Sequence, residues 1–241
     1  MKQYDKYKDS KIEWLGQIPE HWEEYYLSQC AVEQNISNKD VHHQNLLSLS
    51  YGSIKRKNIN KTDGLLPASF DTYQIVNKGN IILRLTDLQN DKRSLRTGLA
   101  IETGIITSAY VCLRCLKHIN PSFLHKVLHI YDVKKLFYGL GGGLRQGCSY
   151  KDLKKLLVYA PSAVEQEQIV RYLDWKVSLI NKYVREKKQE VALLKELKNA
   201  EINRAVTRGL NQNIPLKDSG IDWIGKIPKH WEIKNFSHHF S

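Results

Sequence analysis

The sequence predicts a mixed α/β domain followed by one long α-helix that supplies half of a coiled coil. Three observations carry that fold class. Strand-length apolar runs bounded by Gly, Asn, Asp or Pro recur across residues 24–161. From Ser162 to Arg208 the chain has neither Gly nor Pro and places apolar residues at alternating steps of four and three. A seventeen-residue peptide, YKDSKIEWLGQIPEHWE at Tyr7–Glu23, returns as LKDSGIDWIGKIPKHWE at Leu216–Glu232, with eleven positions identical at an offset of 209.

The repeat is built from rare residue types, including Trp14/Trp223, Gly16/Gly225, Pro19/Pro228, His21/His230 and Trp22/Trp231, so low complexity does not explain it. A period of that size is a domain plus a connector, and the peptide marks a domain's entrance. The chain thus reads as half of a two-part molecule, with residues 1–23 as the first entrance peptide and 210–241 as the start of a second half. On its own, such a peptide is more simply a packing motif duplicated with its domain.

Within 24–161, strands are expected at Asn80–Leu85, Ala109–Leu116 and Leu156–Ala160. Asn120 followed by Pro121 supplies an N-cap and a first-turn proline, and the spacing of Leu124, Val127, Leu128 and Tyr131 carries a helix to about Tyr138. The glycines between Gly139 and Gly143 stop it, and Ser149-Tyr-Lys-Asp152 starts a further short helix. After Pro161, Ser162-Ala-Val-Glu165 reads as a capping box opening the long helix, residues 162–209. Its apolar seam takes in Leu173, Val177, Ile180, Val184, Val191, Leu194 and Ala205. At 1.5 Å per residue a helix of about 44 residues is a rod of roughly 65 Å, and so long an apolar stripe needs a second helix.

Composition narrows the function. The chain has 241 residues and a formal charge of +12, of which residues 1–161 carry +8 (23 Lys/Arg against 15 Asp/Glu). Such an excess points to a polyanion, and the lack of a basic amphipathic helix or lipidation motif favours nucleic acid over a membrane surface. The charged N-terminus and the absence of any run of some eighteen apolar residues predict a cytoplasmic protein with no membrane partner. Four cysteines are too scattered for a disulfide scaffold, and Cys112-x-x-Cys115 lacks a second pair to complete a zinc site, so no metal is expected.

Double-stranded DNA is read by cations on phosphates and by Arg, Asn or Gln on base edges. Three stretches qualify. Lys55, Arg56 and Lys57 sit in a basic loop free of acids; Arg84, Gln89, Asn90, Lys92, Arg93 and Arg96 crowd thirteen positions after a predicted strand; Arg145 and Gln146 follow the glycine run. Arg84, Arg93, Arg96, Arg145 and Gln146 are expected at bases or in a groove, and Lys55, Arg56, Lys57 and Lys92 at phosphates. Any one stretch taken alone is as readily a solvated surface loop. Tyr51 and Tyr110 are weaker candidates, since a Tyr in an apolar run is usually core. Catalytic constellations are missing: neither GxxxxGK[ST] nor GxGxxG occurs, and His125 and His129, at i and i+4, have no Glu partner and read as surface or packing residues.

Domain, capped rod and repeated entrance peptide together resemble the specificity subunit of type I restriction–modification systems. The resemblance rests on the KDS-x-I-x-W-x-G-x-I-P-x-HW-E peptide in both copies, on Ala160-Pro161 with Glu165-Gln166 and Ile169, on Tyr172-Leu173-Asp174, and on Ala205-Val206-Thr207-Arg208-Gly209-Leu210. It implies a target-recognition domain at 24–161 and an antiparallel coiled coil. It also implies a bipartite DNA target and adenine methyltransferase subunits that use S-adenosylmethionine, with ATP and Mg belonging to the partner translocase–nuclease subunit. This chain itself would be non-catalytic and bind no cofactor. It departs from the family in holding one recognition domain and one rod, so the expectation is a homodimer of half-subunits or pairing with a second half-subunit. The competing expectation is a truncated coiled-coil interaction protein that binds the methyltransferase without directing it to a sequence.

Overall fold

A computed structural model of the chain describes residues 4–39, 44–57, 69–88, 93–140, 147–211 and 213–234. They form two compact units, Met1–Leu173 and Asp174–Ser241. The first begins with β1 (Tyr7–Asp9), β2 (Gln17–Pro19), β3 (Glu23–Tyr26), α1 (Leu27–Cys30), β4 (Ala31–Gln34) and β5 (Ile36–Ser37). It continues through β6 (Leu47–Ser50), β7 (Ser53–Arg56), β8 (Gln74–Val76), β9 (Ile81–Leu83), β10 (Thr97–Leu99), β11 (Gly104–Ile106) and β12 (Val111–Cys115). Then come α2 (Pro121–Val133), α3 (Tyr150–Leu153), β13 (Leu157–Ala160) and α4 (Ala163–Arg208), which runs on into the second unit; there β14 (Leu216–Asp218) and β15 (Lys226–Pro228) follow.

The centre of the first unit is an antiparallel sheet in the order β10-β9-β12-β4. Its strands feed two cores. Ile81, Leu83 and Leu113 face a cluster that includes Leu27, Phe123, Leu124, Leu128, Phe137 and Val158, while Ile82 and Cys112 face Leu47, Leu49, Ile54, Val76 and Ile106. Burial on both faces is why the run around β9 is continuously apolar rather than alternating. Cys112 and Cys115 lie three apart on β12, so they belong to opposite faces, and burial pushes both thiols up to about 12. β3 pairs with β13, Glu23 opposite Ala160, which clasps the start of the domain to its end.

Sequence cues and structure agree at two caps. Asn120 Oδ1 accepts from the backbone N–H groups of Ser122 and Phe123 at 2.9 and 3.2 Å, and Ser149 forms a reciprocal box with Asp152. Two expectations change. The helix from Pro121 ends at Val133, not Tyr138, because Lys135 adopts φ 61° and a 3-10 turn follows at Leu136–Gly139. Continued at 100° per residue, the helix would aim Phe137 about 140° away from the Leu124–Leu128–Tyr131 face. The break turns Phe137 inward, where it is fully buried and stacks on Tyr131 at 6.5 Å.

The second change is at the start of α4. Glu165 N–H donates to Ser162 Oγ at 3.4 Å, but the Glu165 carboxylate goes to the entrance peptide instead of closing a box. It accepts from Tyr4 Oη at 2.5 Å and Trp22 Nε1 at 3.2 Å, and His21 Nε2 lies 2.9 Å away. Burial opposes its ionisation, yet the bonds from Tyr4, His21 and Trp22 hold the carboxyl below its usual range. Trp14 packs edge-on against Tyr131 at 5.4 Å and Trp22 against Phe123 at 6.4 Å, so the peptide is seated on α2 and on the first turn of α4.

Gln166 beside it is buried and spends its whole amide on backbone. Oε1 accepts from Asn120 N at 2.8 Å, and Nε2 donates to Pro161 O at 2.9 Å and His118 O at 3.2 Å. Substituting Gln166→Ala strands those three groups without solvent, and the cost is expected to be about 3 kcal/mol, read as a lower midpoint in urea unfolding. A loss below about 0.5 kcal/mol, the usual scale of a surface change, would show that the amide does not hold this junction.

Candidate nucleic-acid interface

The basic loop expected near Lys55 is a hairpin, β6–β7, joined by Tyr51 and Gly52. Both turn residues have positive φ, 47° and 76°, which is the two-residue turn that matches strand twist. Such turns favour Asn, Asp or Gly at the first position, and a Tyr held there costs about 1–2 kcal/mol. The Tyr51 side chain is 80% exposed at the tip, so it is not the core residue its apolar neighbourhood suggests. Tyr110, by contrast, is half-buried and packs on the second core cluster.

Below the tip the strand is anchored through Leu49 and Ile54, which lie against Gly98 of β10, where a Cβ would come within 2.6 Å of Leu49 Cδ1. Lys55, Arg56 and Lys57 are all exposed. Arg56 is also held by Glu102: Nε donates to both carboxylate oxygens, at 2.8 and 2.7 Å, and Nη2 bonds Oε2. The pairing pulls the Glu102 carboxyl below its usual range. Arg56 therefore braces the hairpin and offers less free charge than Lys55 and Lys57.

The second stretch divides. Arg84 follows β9 and is half-buried, with its backbone N–H on Arg96 O at 2.8 Å; Arg93 is exposed. Arg96 corrects the sequence reading: it is 0% exposed, and its guanidinium donates from Nη1 to Thr86 O at 3.0 Å and from Nη2 to Asp87 O at 3.2 Å. Burial removes it from any groove and makes it a brace between the start of β10 and the Thr86–Asp87 backbone. The Asp132 carboxylate, on the last turn of α2, accepts from the backbone N–H groups of both Arg96 and Thr97. Burial raises the Asp132 pKa above its ordinary value. An acid at a helix C-terminus opposes the helix dipole, and that was the sequence signal for an Asp with another task. Gln89, Asn90, Lys92, Arg145 and Gln146 lie outside the described residues.

The second unit carries the seam. Val177, Ile180, Val184, Val191 and Leu194 are exposed along α4; Ala205 is half-buried, as is Leu173 at the end of the first unit. Sequence stepping missed a second ridge. Trp175, Leu179, Tyr183, Leu193 and Leu197 are also exposed, and at 100° per residue they cluster roughly 120° around the helix from the seam. No helix among the described residues is long and apolar enough to cross a membrane.

No family model matches the chain, and no curated protein matches it. Solved structures do. One, from work on complex assembly and conformational transition of the type I R-M system, aligns over 80% of this chain and 47% of that chain with a TM-score of 0.54 and 17% identity. The HsdS subunit from Thermoanaerobacter tengcongensis aligns over 85% of this chain and 48% of its own length, with a TM-score of 0.52 and 16% identity. The fold is similar to about half of that HsdS subunit. The chain spans about half the length of the solved proteins it matches.

Charge and burial sort the candidates into braces and exposed surface, and stability measurements separate the two. Arg96→Ala empties a fully buried site and removes the bonds to the Thr86 and Asp87 carbonyls, and is expected to cost about 3 kcal/mol. Tyr51→Asn relieves the turn and should gain about 1 kcal/mol. Lys57→Ala should stay within about 0.5 kcal/mol. Unfolding curves of the three variants that failed to rank in this order would undo the assignment.

Proposed function

We propose that the chain is a DNA-sequence specificity module of a type I restriction–modification complex. It recognises one half of a bipartite target and positions adenine methyltransferase subunits that carry S-adenosylmethionine. The observation that carries this reading is the pairing of a fold similar to half an HsdS subunit with a braced hairpin whose exposed tip is aromatic and whose second strand is basic. Tyr51 at the tip supplies a stacking or wedge group, Lys55 and Lys57 supply phosphate contacts, and Arg84 and Arg93 flank the neighbouring loop. Methyl transfer and ATP-driven cleavage belong to partner subunits.

Two copies pair through the α4 seam in antiparallel fashion, so the target is an inverted repeat with a gap set by rod length. The second ridge, from Trp175 to Leu197, faces away from that seam and is the surface offered to the methyltransferase.

The test is selection from a random duplex library by the chain together with its methyltransferase, followed by sequencing of bound DNA. Enrichment of a gapped inverted repeat supports the reading; a bound pool indistinguishable from the input would leave only the competing one, a coiled-coil fragment that titrates the methyltransferase. Lys55→Ala and Lys57→Ala should each weaken binding across all sequences and reduce the slope of log affinity against log salt by about 1. Unchanged slopes in both variants would remove the hairpin from the phosphate contacts.

A further inference from the structure

The two copies of the entrance peptide fold alike. β14–β15 repeats the register of β1–β2, with Leu216 opposite Pro228 as Tyr7 is opposite Pro19. Ser219 N–H bonds Gly225 O at 2.9 Å, as Ser10 N–H bonds Gly16 O at 2.9 Å. They differ in what covers them. Trp14 is packed on the domain core, whereas its counterpart Trp223 is 81% exposed. His21 and Trp22 reach Glu165, whereas neither His230 nor the Trp231 indole N–H has a hydrogen-bond partner among the described residues.

Four side chains that dock the first copy recur in the second: Ile12/Ile221, Trp14/Trp223, His21/His230 and Trp22/Trp231. Elsewhere the copies differ. Lys11 donates its backbone N–H to Tyr159 Oη at 2.9 Å, whereas the Gly220 N–H donates to Asp218 Oδ1 at 2.9 Å and has to leave that acceptor to make the same bond. The Lys11–Glu24 ion pair that Gly220 cannot form is exposed and contributes little. The hydroxyl of Tyr4, which has Asn213 at its offset, is the one seat contact with no replacement. A folded peptide with its Trp223 uncovered calls for the seat the first copy shows: the edges of Tyr131 and Phe123 and the carboxylate of Glu165.

We infer that the second copy, Leu216–Glu232, is a ligand for this seat in another copy of the chain, where it exchanges with that copy's own residues 7–23. The inference rests on the antiparallel pairing proposed above. Pairing that sets Leu173 of one chain beside Ala205 of the other brings the second copy, which starts eleven residues beyond Ala205, toward the seat at Glu165, eight residues before Leu173. Since the contacts are nearly the same, occupancy is decided by effective concentration, which the pairing supplies.

The experiment replaces Trp223 with photoreactive p-benzoylphenylalanine in the full-length chain and mixes equal parts of chains with natural and heavy nitrogen. Irradiation should give cross-links between light and heavy chains that map to the 123–131 helix or to Glu165. An excess of the free Leu216–Glu232 peptide should lower their yield more than fivefold. Cross-links confined to single chains, or a yield the peptide does not change, overturn the inference. Light scattering on the same sample separates two failures: twice the 28.0 kDa chain mass without seat cross-links sinks the exchange alone, and a monomeric mass sinks the pairing as well.

Discussion

The junction at Pro161–Gln166 is the constraint on which the first unit depends. Two pieces of chain meet there: the segment that holds the His118 carbonyl and the Asn120 N-cap of α2, and the first turn of α4 after Pro161. One buried amide joins them, and one carboxylate beside it gathers the entrance peptide through Tyr4, His21 and Trp22. A buried amide tolerates neither a missing partner nor a shifted one, because each stranded donor or acceptor costs on the order of 1–3 kcal/mol. The junction therefore fixes where the long helix starts and how the peptide lies. The two adjacent residues divide the work, Gln166 inward to backbone and Glu165 outward to side chains.

A sheet buried on both faces sets a second limit. β9 alternates between two apolar clusters and is buried at every position, so it cannot present a polar side chain without opening a core, and β12 does so only at Arg114. Contacts with an outside molecule therefore fall mainly to hairpins and loops, and those need their own bracing. Arg56 and Glu102 brace the β6–β7 hairpin from outside; Arg96 braces the Thr86–Asp87 backbone from inside by holding its carbonyls. Two arginines that look alike in sequence serve opposite environments.

The parts legible in the sequence were those encoded within a few residues. The Asn120 cap with Pro121, the Ser149–Asp152 box, the apolar runs around β9, β12 and β13 and the uninterrupted helix from Ala163 each depend on short-range spacing. What escaped depends on distant chain. Glu165 has the spacing of a capping box, but partners more than 140 residues away outcompete Ser162 for its carboxylate. Phe137 continues an apolar helix on paper, and only the need to reach the core beside Tyr131 breaks that helix at Lys135. Arg96 sits in a polar, basic stretch that reads as surface, while the carbonyls that draw it inward belong to a loop whose path the sequence does not state. At Tyr51 the error ran the other way, since an aromatic beside a strand was expected to be core and stands at a turn.

The long helix carries the same lesson into assembly. A heptad seam with an even partner would leave the rest of a rod polar, as isolated coiled coils do. Here a second ridge of Trp, Leu and Tyr lies roughly 120° from the seam, and exposing both to water is unfavourable at about 25 cal/mol for each Å² of apolar surface. One partner helix covers one stripe. Covering two that far apart takes either a bundle of more than two helices or two partners of different kind. The first unit neutralises its own helix α2 by packing Leu124, Leu128 and Tyr131 into the domain core, so apolar stripes in this chain are not left idle where a partner is at hand. Two stripes that far apart call for cover from two sides, and on this helix apolar surface, more than charge, sets what could supply it.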